Sequence, residues 1–377
     1  MKRREFIQGG IGLLTLGAVG RVFGATPCPP ELAGTVPIPC PAPTPEGPIS
    51  QLAASMLPGT WARLTGTSGL STIVTNYLAG AYGTQQSGTR GFFEFATGGI
   101  WINDHHELHF RGSGHQSNGI HIRYKESTGE WTVLNTFSIP GWEHQYDHTA
   151  YDQSRNIMYA TTPESRTINK WSYVDGSGSW NQNAATRIGQ LIIAEGMEYF
   201  PDANSGQGGL VHYGAYAPDG SQTGGLRLST PSVDSWSWIG GNYFPSNGER
   251  YHLNAVYLPS QKIILFGGGN ADNTAAAMDS NGNVTRRNNL PTHWGPRDNN
   301  GMGTVVADSI TGRIFFVSAT NNTLYEHNYS SDSWNAIGSL PSTGPRSFVT
   351  MIPTYGVIHY VTGESTDTSP SEWIYKL

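Results

Sequence analysis

Apolar and polar positions along this chain fall into pairs of short segments. Each pair has an apolar segment, a turn that opens with Asn, Asp or Pro, and a second segment rich in β-branched and aromatic residues, which predicts two antiparallel strands. Six stretches follow this pattern: IWINDHHELHF, TAYDQSRNIMY, EYFPDANSGQGGLVHY, AVYLPSQKIILF, TVVADSITGRIFF and TMIPTYGVIHY. Their turns open at Asn103, Asp152, Pro201, Pro259, Asp308 and Pro353, with spacings of 45 to 58 residues. A repeat of this length predicts the blades of a β-propeller.

Two further strands complete most repeats. A third strand is followed by a short turn and a tryptophan, at Trp131, Trp180, Trp236 and Trp334. The fourth repeat has NVTRRNNL at this point and lacks the tryptophan. The last repeat ends after three strands, which would leave an exposed edge. The segment GTWARLTG (59–66) supplies the missing outer strand. The sequence therefore predicts an all-β, six-bladed β-propeller over residues 59–377, its ring closed by an N-terminal strand that completes the C-terminal blade.

The fourth repeat contains KIILFGGGN (Lys262–Asn270), in which a glycine run follows the second strand. This run, the paired strands and the later tryptophan resemble the kelch-type propellers. The first and third repeats have looser glycine patterns and the second and fifth have none, so the chain is kelch-like without being a regular kelch array. The resemblance implies the fold and says little about chemistry.

The N-terminus predicts export. Residues 1–25 have a basic start, a short apolar stretch and small residues where a peptidase could cut, as in a signal peptide. Their paired arginines resemble a twin-arginine signal, which implies a periplasmic or secreted protein, with an ordinary secretory signal as the alternative. Residues 26–58 form a Pro-rich leader. Its Cys28 and Cys40 are expected to form a disulfide in an oxidising compartment.

Composition excludes some partners. Charged residues make up 13% of the chain, the formal net charge is −6, and no block of Lys and Arg follows the N-terminus. Nucleic acid and anionic membrane surfaces are therefore poor partners. The apolar run near the start is too short for a membrane span, so none is expected in the mature protein.

The scarce charged residues gather on one face of the predicted propeller. The crossings between blades and the loops between second and third strands share that face, beside the central channel. The candidate catalytic residues there are His144, Tyr251, His252 and His148, and the candidate substrate-binding residues are His115, Glu143, Glu195, Arg250, Arg297, Asp298 and Arg346. Their convergence on one concavity predicts a binding site.

Arginines beside histidines and tyrosines suit an acidic sugar. Arg binds a carboxylate as a two-pronged fork and offsets the charge that builds on it during proton abstraction. His144 or Tyr251 could take the α-proton while Arg297 and Arg346 hold the carboxylate, which gives β-elimination at a uronic acid. The chain resembles propeller polysaccharide lyases in plan, which implies an acidic polysaccharide or oligosaccharide as substrate.

Other functions stay open. Glu143 or Asp147 could pair with Glu195 to hydrolyse a glycosidic bond. The protein could instead be a sugar mutarotase or a non-catalytic carbohydrate-binding propeller, since periplasmic kelch propellers include a sialic acid epimerase. A third interpretation is that each polar group only hydrogen-bonds exposed backbone at the channel mouth.

The sequence assigns no cofactor. Imidazole suits Zn, Cu or Mn, so a divalent metal is an open alternative, although no tight ligand spacing supports it. The histidines that could hold the metal are His115, His144, His148 and His252.

Overall fold

The fold is known from a computed structural model, which describes residues 46–82, 92–93, 98–112, 119–136, 147, 149–162, 167–172, 180–181, 191–215, 225–241, 243, 253–268, 273–293, 303–342, 346–363 and 368–377. One compact unit runs from Pro45 to Leu377. The predicted signal peptide and the expected Cys28–Cys40 disulfide lie outside the described residues.

The described strands form six antiparallel sheets of four strands each, numbered here in chain order. Sheet 1 contains β2 (Ile100–Ile102), β3 (Glu107–Gly112), β4 (Ile120–Lys125) and β5 (Glu130–Thr136). Sheet 2 contains β6 (Thr149–Asp152), β7 (Ile157–Thr162), β8 (Thr167–Ser172) and β9 (Trp180–Asn181). Sheet 3 contains β10 (Leu191–Tyr199), β11 (Leu210–Ala215), β12 (Gly225–Ser229) and β13 (Trp236–Gly240).

The other three sheets repeat the same up-and-down order. Sheet 4 contains β14 (Leu253–Leu258), β15 (Ile263–Gly268), β16 (Ala275–Asp279) and β17 (Val284–Arg287). Sheet 5 contains β18 (Gly303–Ala307), β19 (Ile314–Ser318), β20 (Thr323–Asn328) and β21 (Ser333–Ser339). Sheet 6 contains β22 (Arg346–Ile352), β23 (Val357–Gly363), β24 (Ser371–Lys376) and, at its outer edge, β1 (Trp61–Arg63).

The predicted pairing of the N-terminal strand with the C-terminal sheet is present. β1 runs antiparallel to β24, with Trp61 opposite Tyr375 and Arg63 opposite Trp373. The Trp61 ring also packs on the rings of Tyr375 and Tyr360, with centroids 5.1 and 5.9 Å away. The strand therefore pairs with the outer edge of β24 and adds aromatic packing to sheet 6.

Each sheet buries its apolar faces against its neighbours. Separate clusters of buried side chains lie between sheets 1 and 2, 2 and 3, 3 and 4, 4 and 5, 5 and 6, and 6 and 1. The inner strands of neighbouring sheets also contact one another, including β22 with β2. Gly99 N donates to Val349 O across that last contact, at 3.2 Å. This arrangement is a β-propeller, as the repeats predict.

Aspartates close the turns at two of the predicted anchor positions. Oδ1 of Asp152 accepts hydrogen bonds from the backbone N–H groups of Ser154 and Arg155, at 3.0 and 3.2 Å. Oδ1 of Asp308 accepts one from Ile310 N at 2.9 Å. The recurring turn residue in the sequence thus has a physical role, because its side chain satisfies backbone donors that the turn leaves unpaired.

Helical segments are short. α1 (Pro48–Ser55) and α2 (Leu70–Leu78) precede sheet 1, α3 (Ala203–Gly206) follows β10, and a 3₁₀ turn (Pro353–Tyr355) precedes β23. Helix α1 lies within the span that the sequence assigns to the leader, yet its Ile49 and Ala53 belong to the cluster between sheets 6 and 1. No helix of the described residues is long and apolar enough to cross a membrane.

Candidate functional site

A cavity of about 230 Å³ lies where the inner strands of the sheets converge. Its described lining comes from all six sheets and from Asp147, which precedes β6. The polar and aromatic lining residues include Trp101, Asp147, Thr149, Tyr151, Glu198 and Thr304, beside apolar residues such as Val256, Val305, Val349 and Met351. The volume lies below the roughly 300–1,000 Å³ of most ligand pockets, so this part of the channel suits a small group.

Asp147 links three sheets. Its backbone oxygen accepts a hydrogen bond from Met197 N on sheet 3, at 3.0 Å. Its Oδ2 accepts a hydrogen bond from Ala255 N on sheet 4, at 2.8 Å. Burial raises the pKa of Asp147 well above its ordinary value; the hydrogen bond from Ala255 opposes this shift, and negative charge on Glu198 adds to it.

Glu198 is the second carboxyl group of the cavity. Its Oε1 accepts a hydrogen bond from its neighbour Tyr199 N at 2.8 Å, and its Oε2 accepts one from Tyr257 N on sheet 4 at 3.3 Å. Burial raises the pKa of Glu198 to about 7, although both hydrogen bonds favour its ionised form. Like Asp147, the side chain lies deep in the propeller yet keeps partial exposure to the cavity.

The two carboxyl groups meet sheet 4 because a glycine lets sheet 3 approach it closely. A Cβ atom on Gly196 would lie 2.7 Å from the backbone carbon of Asn254, inside van der Waals contact. Gly196 is also the residue that forms a parallel bridge with Asp147. Any larger residue would push β10 away from β14, and the Asp147 carboxyl would lose its reach to Ala255 N.

Two carboxyl groups with raised pKa values can divide the work of acid and base. A carboxyl that keeps its proton near neutral pH can donate it, and one that titrates near 7 can accept a proton. Burial raises the pKa of Glu198 to about 7 and holds the pKa of Asp147 well above its ordinary value. The arrangement therefore suits one carboxyl group as proton donor and the other as proton acceptor.

Most of the residues singled out from the sequence lie outside the described part of the chain. These are His115, Glu143, His144, His148, Arg250, Tyr251, His252, Arg297 and Asp298. Arg346 is the first residue of β22 and pairs with Gly363 along the backbone. The structure thus leaves their proposed convergence as a prediction.

Glu195 is described, and its side chain contacts a buried histidine. Its Oε2 lies 2.9 Å from Nε2 of His212, and both side chains are fully buried. The described lining of the cavity instead includes Glu198, three residues further along the same strand. Of the carboxylates weighed for hydrolysis, Asp147 faces the cavity.

Sequence reasoning missed Glu198. The residue lies between Met197 and Tyr199, both buried against sheet 2, in a segment whose pattern predicts only an inner strand. The available signal was a charged residue inside an apolar strand, because an unpaired carboxylate is rarely placed there without a function or a partner.

A second polar cluster is buried between β3 and β4. Nδ1 of His109 lies 2.9 Å from Nε2 of His121, and Nε2 of His109 lies 3.4 Å from Oε2 of Glu107. Burial lowers the pKa of His109, and burial with nearby positive charge lowers that of His121 well below its ordinary value. Both imidazoles are therefore neutral near pH 7, as suits a packed interior.

Within the described residues, no group of three or more His, Cys, Asp or Glu side chains is placed to hold a metal ion. The four histidines that the sequence offers for a divalent metal all lie outside those residues. The metal alternative accordingly stays open.

Comparisons with known proteins add little about function. No protein family and no curated protein matches this chain. Among solved structures, a chain of a mitotic checkpoint complex is 14% identical over 74% of this chain and 73% of its own, with a TM-score of 0.45. A Bacteroides thetaiotaomicron protein of unknown function is 10% identical (77% and 71% covered, TM-score 0.49), and a chain of a nidogen/laminin complex is 8% identical (70% and 85%, TM-score 0.46).

Proposed function

We propose that this protein is a carbohydrate-active enzyme that hydrolyses a glycosidic bond with Asp147 and Glu198. The observation that carries the proposal is that two carboxyl groups of raised pKa line one small cavity at the centre of the propeller. A carboxyl pair of this kind is the usual machinery of glycoside hydrolysis. Asp147 is the acid and Glu198 is the base.

The lining supports a sugar as ligand. Trp101 and Tyr151 give the cavity aromatic surface, and Thr149 and Thr304 bring hydroxyl groups. The cavity holds one terminal sugar unit, and the rest of a glycan extends over the face where the sequence concentrates its histidines and arginines. Two carboxyl groups in the channel disfavour an anionic unit at that depth, so a neutral sugar fits better there.

β-Elimination at a uronic acid is the second candidate. A group with a pKa near 7 is suited to abstract an α-proton at neutral pH. Glu198 meets that condition. The ordinary pKa of a histidine, the residue type of His144, also lies near this value. In this proposal Arg297 and Arg346 hold the substrate carboxylate. An acidic polysaccharide is then the partner.

One experiment separates the two reactions. The purified protein is incubated with neutral and uronate-containing polysaccharides, and new reducing ends and the absorbance of a new carbon–carbon double bond are both recorded. Hydrolysis gives reducing ends without the double bond, and elimination gives both.

Single-residue variants test which side chains transfer protons in the reaction. In hydrolysis, Asp147→Asn and Glu198→Gln should each lower turnover by about 100-fold or more, because each removes a proton-transfer group. Glu130→Gln, at an exposed carboxylate, is the matched control and should leave turnover unchanged. In elimination, His144→Ala should abolish turnover where His144 is the base, and Glu198→Gln should abolish it where Glu198 is the base. A wild-type protein that yields neither signal rejects both reactions and leaves the mutarotase or binding hypotheses.

We also propose the finer features of architecture and location. The six sheets are six blades of one closed, kelch-like ring, which is supported by the six clusters between neighbouring sheets and by the β1–β24 pairing. Export through the twin-arginine-type segment to the periplasm or beyond, with a Cys28–Cys40 disulfide in the leader, is supported by the sequence alone.

A further inference from the structure

The two carboxyl groups of the cavity are held by one strand. Ala255 N donates to Asp147 and Tyr257 N donates to Glu198, at 2.8 and 3.3 Å. These two donors are separated by one residue on β14, which is the inner strand of sheet 4. Alternate N–H groups of a strand point toward the same edge, so both point into the channel.

Strand β14 is regular where it holds them. Its pairing with β15 runs without a register shift from Leu253 opposite Gly268 to Leu258 opposite Ile263. A strand of this kind rises about 3.4 Å per residue, so alternate N–H groups lie about 6.8 Å apart. Since each carboxyl accepts from one of them, two nearly parallel hydrogen bonds place the two accepting oxygens at about that separation.

This separation bears on the stereochemistry of hydrolysis. Inverting glycosidases keep their carboxyl groups roughly 6.5–9.5 Å apart to leave room for a water, and retaining enzymes keep them about 5–5.5 Å apart. Building on the proposed hydrolysis, we infer that this propeller inverts the anomeric configuration of its substrate, with β14 fixing the spacing of Asp147 and Glu198.

The step balances with water as the only co-reactant. Asp147 gives its proton to the glycosidic oxygen while the bond from that oxygen to the anomeric carbon breaks. Water attacks the anomeric carbon from the opposite side, and Glu198 takes the proton that the water loses. A proton then returns from Glu198 to Asp147 through solvent. No covalent bond forms between the sugar and the protein.

The test is the configuration of the first product. Proton NMR, recorded before the free sugar equilibrates, shows which anomer forms from an aryl glycoside of a sugar that the wild-type protein hydrolyses. The inference expects the anomer opposite to that of the substrate. A product that keeps the configuration of the substrate overturns the inference and leaves hydrolysis standing. Absence of hydrolysis on every glycan rejects the proposed function, and the inference with it.

Two variants check the roles independently. With an activated aryl leaving group, which departs without protonation, Asp147→Asn should keep turnover within about tenfold of wild type, while Glu198→Gln should lose about 100-fold or more. With a poor leaving group, both variants should be impaired, and Glu130→Gln should behave as wild type. Turnover of the activated substrate that survives in Glu198→Gln and fails in Asp147→Asn overturns the assignment.

Discussion

At the scale of single residues, the raised pKa of Glu198 predicts a specific effect of pH on stability. The folded-state pKa of about 7 exceeds the ordinary value of 4.5, so the protonated group favours the folded state. This contribution is fully present below about pH 4.5 and is lost as pH rises through about 7, a change of the order of 3 kcal/mol. Wild type should therefore lose free energy of unfolding, relative to Glu198→Gln, between these values.

Urea denaturation of both proteins across that range measures the difference. Glu198→Gln loses one of the two backbone hydrogen bonds, because an amide offers one acceptor oxygen, so it should be less stable than wild type in acid and gain on it as pH rises. The buried His109 and His121 act in the opposite sense: their pKa values are lowered, so their contribution is lost as pH falls below about 6.5. Wild type and Glu198→Gln both contain these two histidines, so their contribution cancels in the difference between the two proteins. A constant difference at all pH values would contradict the shift.

At the same scale, the sequence identified one of the two carboxyl groups of the cavity and missed the other. Asp147 could be named as a channel carboxylate from its place before an inner strand, but Glu195 was named where Glu198 lines the cavity. The pairing of β10 with β11 shifts register between Leu191 and Gly196, and such a shift changes which side of a strand each residue faces. A sequence pattern cannot place that irregularity.

At the scale of elements, a residue far away in the chain stabilises the N-terminus of helix α1. The carboxyl of Glu126 accepts hydrogen bonds from Ile49 N at 3.3 Å, and from Ser50 N, Ser50 Oγ and Tyr124 Oη at 2.8 Å each. Negative charge at the start of a helix also interacts favourably with its dipole. Glu126→Ala leaves these buried donors unpaired and should lower the free energy of unfolding by about 3 kcal/mol.

Urea unfolding of Glu126→Ala checks this, with Glu130→Ala as the matched control on the neighbouring strand. Glu130 is exposed, so its removal should change stability by less than about 0.5 kcal/mol. Equal effects of the two substitutions would show that Glu126 does not hold the helix.

Elements differed in how well the sequence predicted them. The strand pairs around Asp152 and Asp308 were evident, because alternation and a turn residue coincide there. β17 forms at Val284–Arg287 without the tryptophan that marks other outer strands, since backbone pairing with β16 suffices. Helix α2 was missed, although its buried Leu70, Ile73, Val74 and Tyr77 recur at helical spacing. This helix lies before the first strand repeat, so the repeat pattern gives no information about it.

At the scale of the whole molecule, the paired strands and their spacing were enough to predict a propeller, because each sheet repeats the same pattern of strand, turn and strand. The proposed closure of the ring depends on a contact between distant parts of the chain, the pairing of β1 with β24. Thr60 O accepts from Lys376 N at 3.0 Å, and Leu64 N donates to Glu372 O at 2.9 Å. Antiparallel strands alternate their bonded positions, so Ala62 N, between these two, donates to Ile374, while Arg63 N points away from β24.

Closure therefore predicts unequal effects for two neighbouring prolines. Ala62→Pro removes a hydrogen bond of the closing strand, and should lower the free energy of unfolding by about 2 kcal/mol or more. Arg63→Pro keeps that ladder intact and should cost less, because its N–H faces the free edge of the sheet. Thermal unfolding followed by tryptophan fluorescence compares them, and a single cooperative transition at a lower midpoint is expected for Ala62→Pro, since a ring opened at one sheet weakens its contacts with both neighbours. If Ala62→Pro unfolds at the wild-type temperature, β1 does not hold the ring, and the proposal of six blades closed by this strand fails.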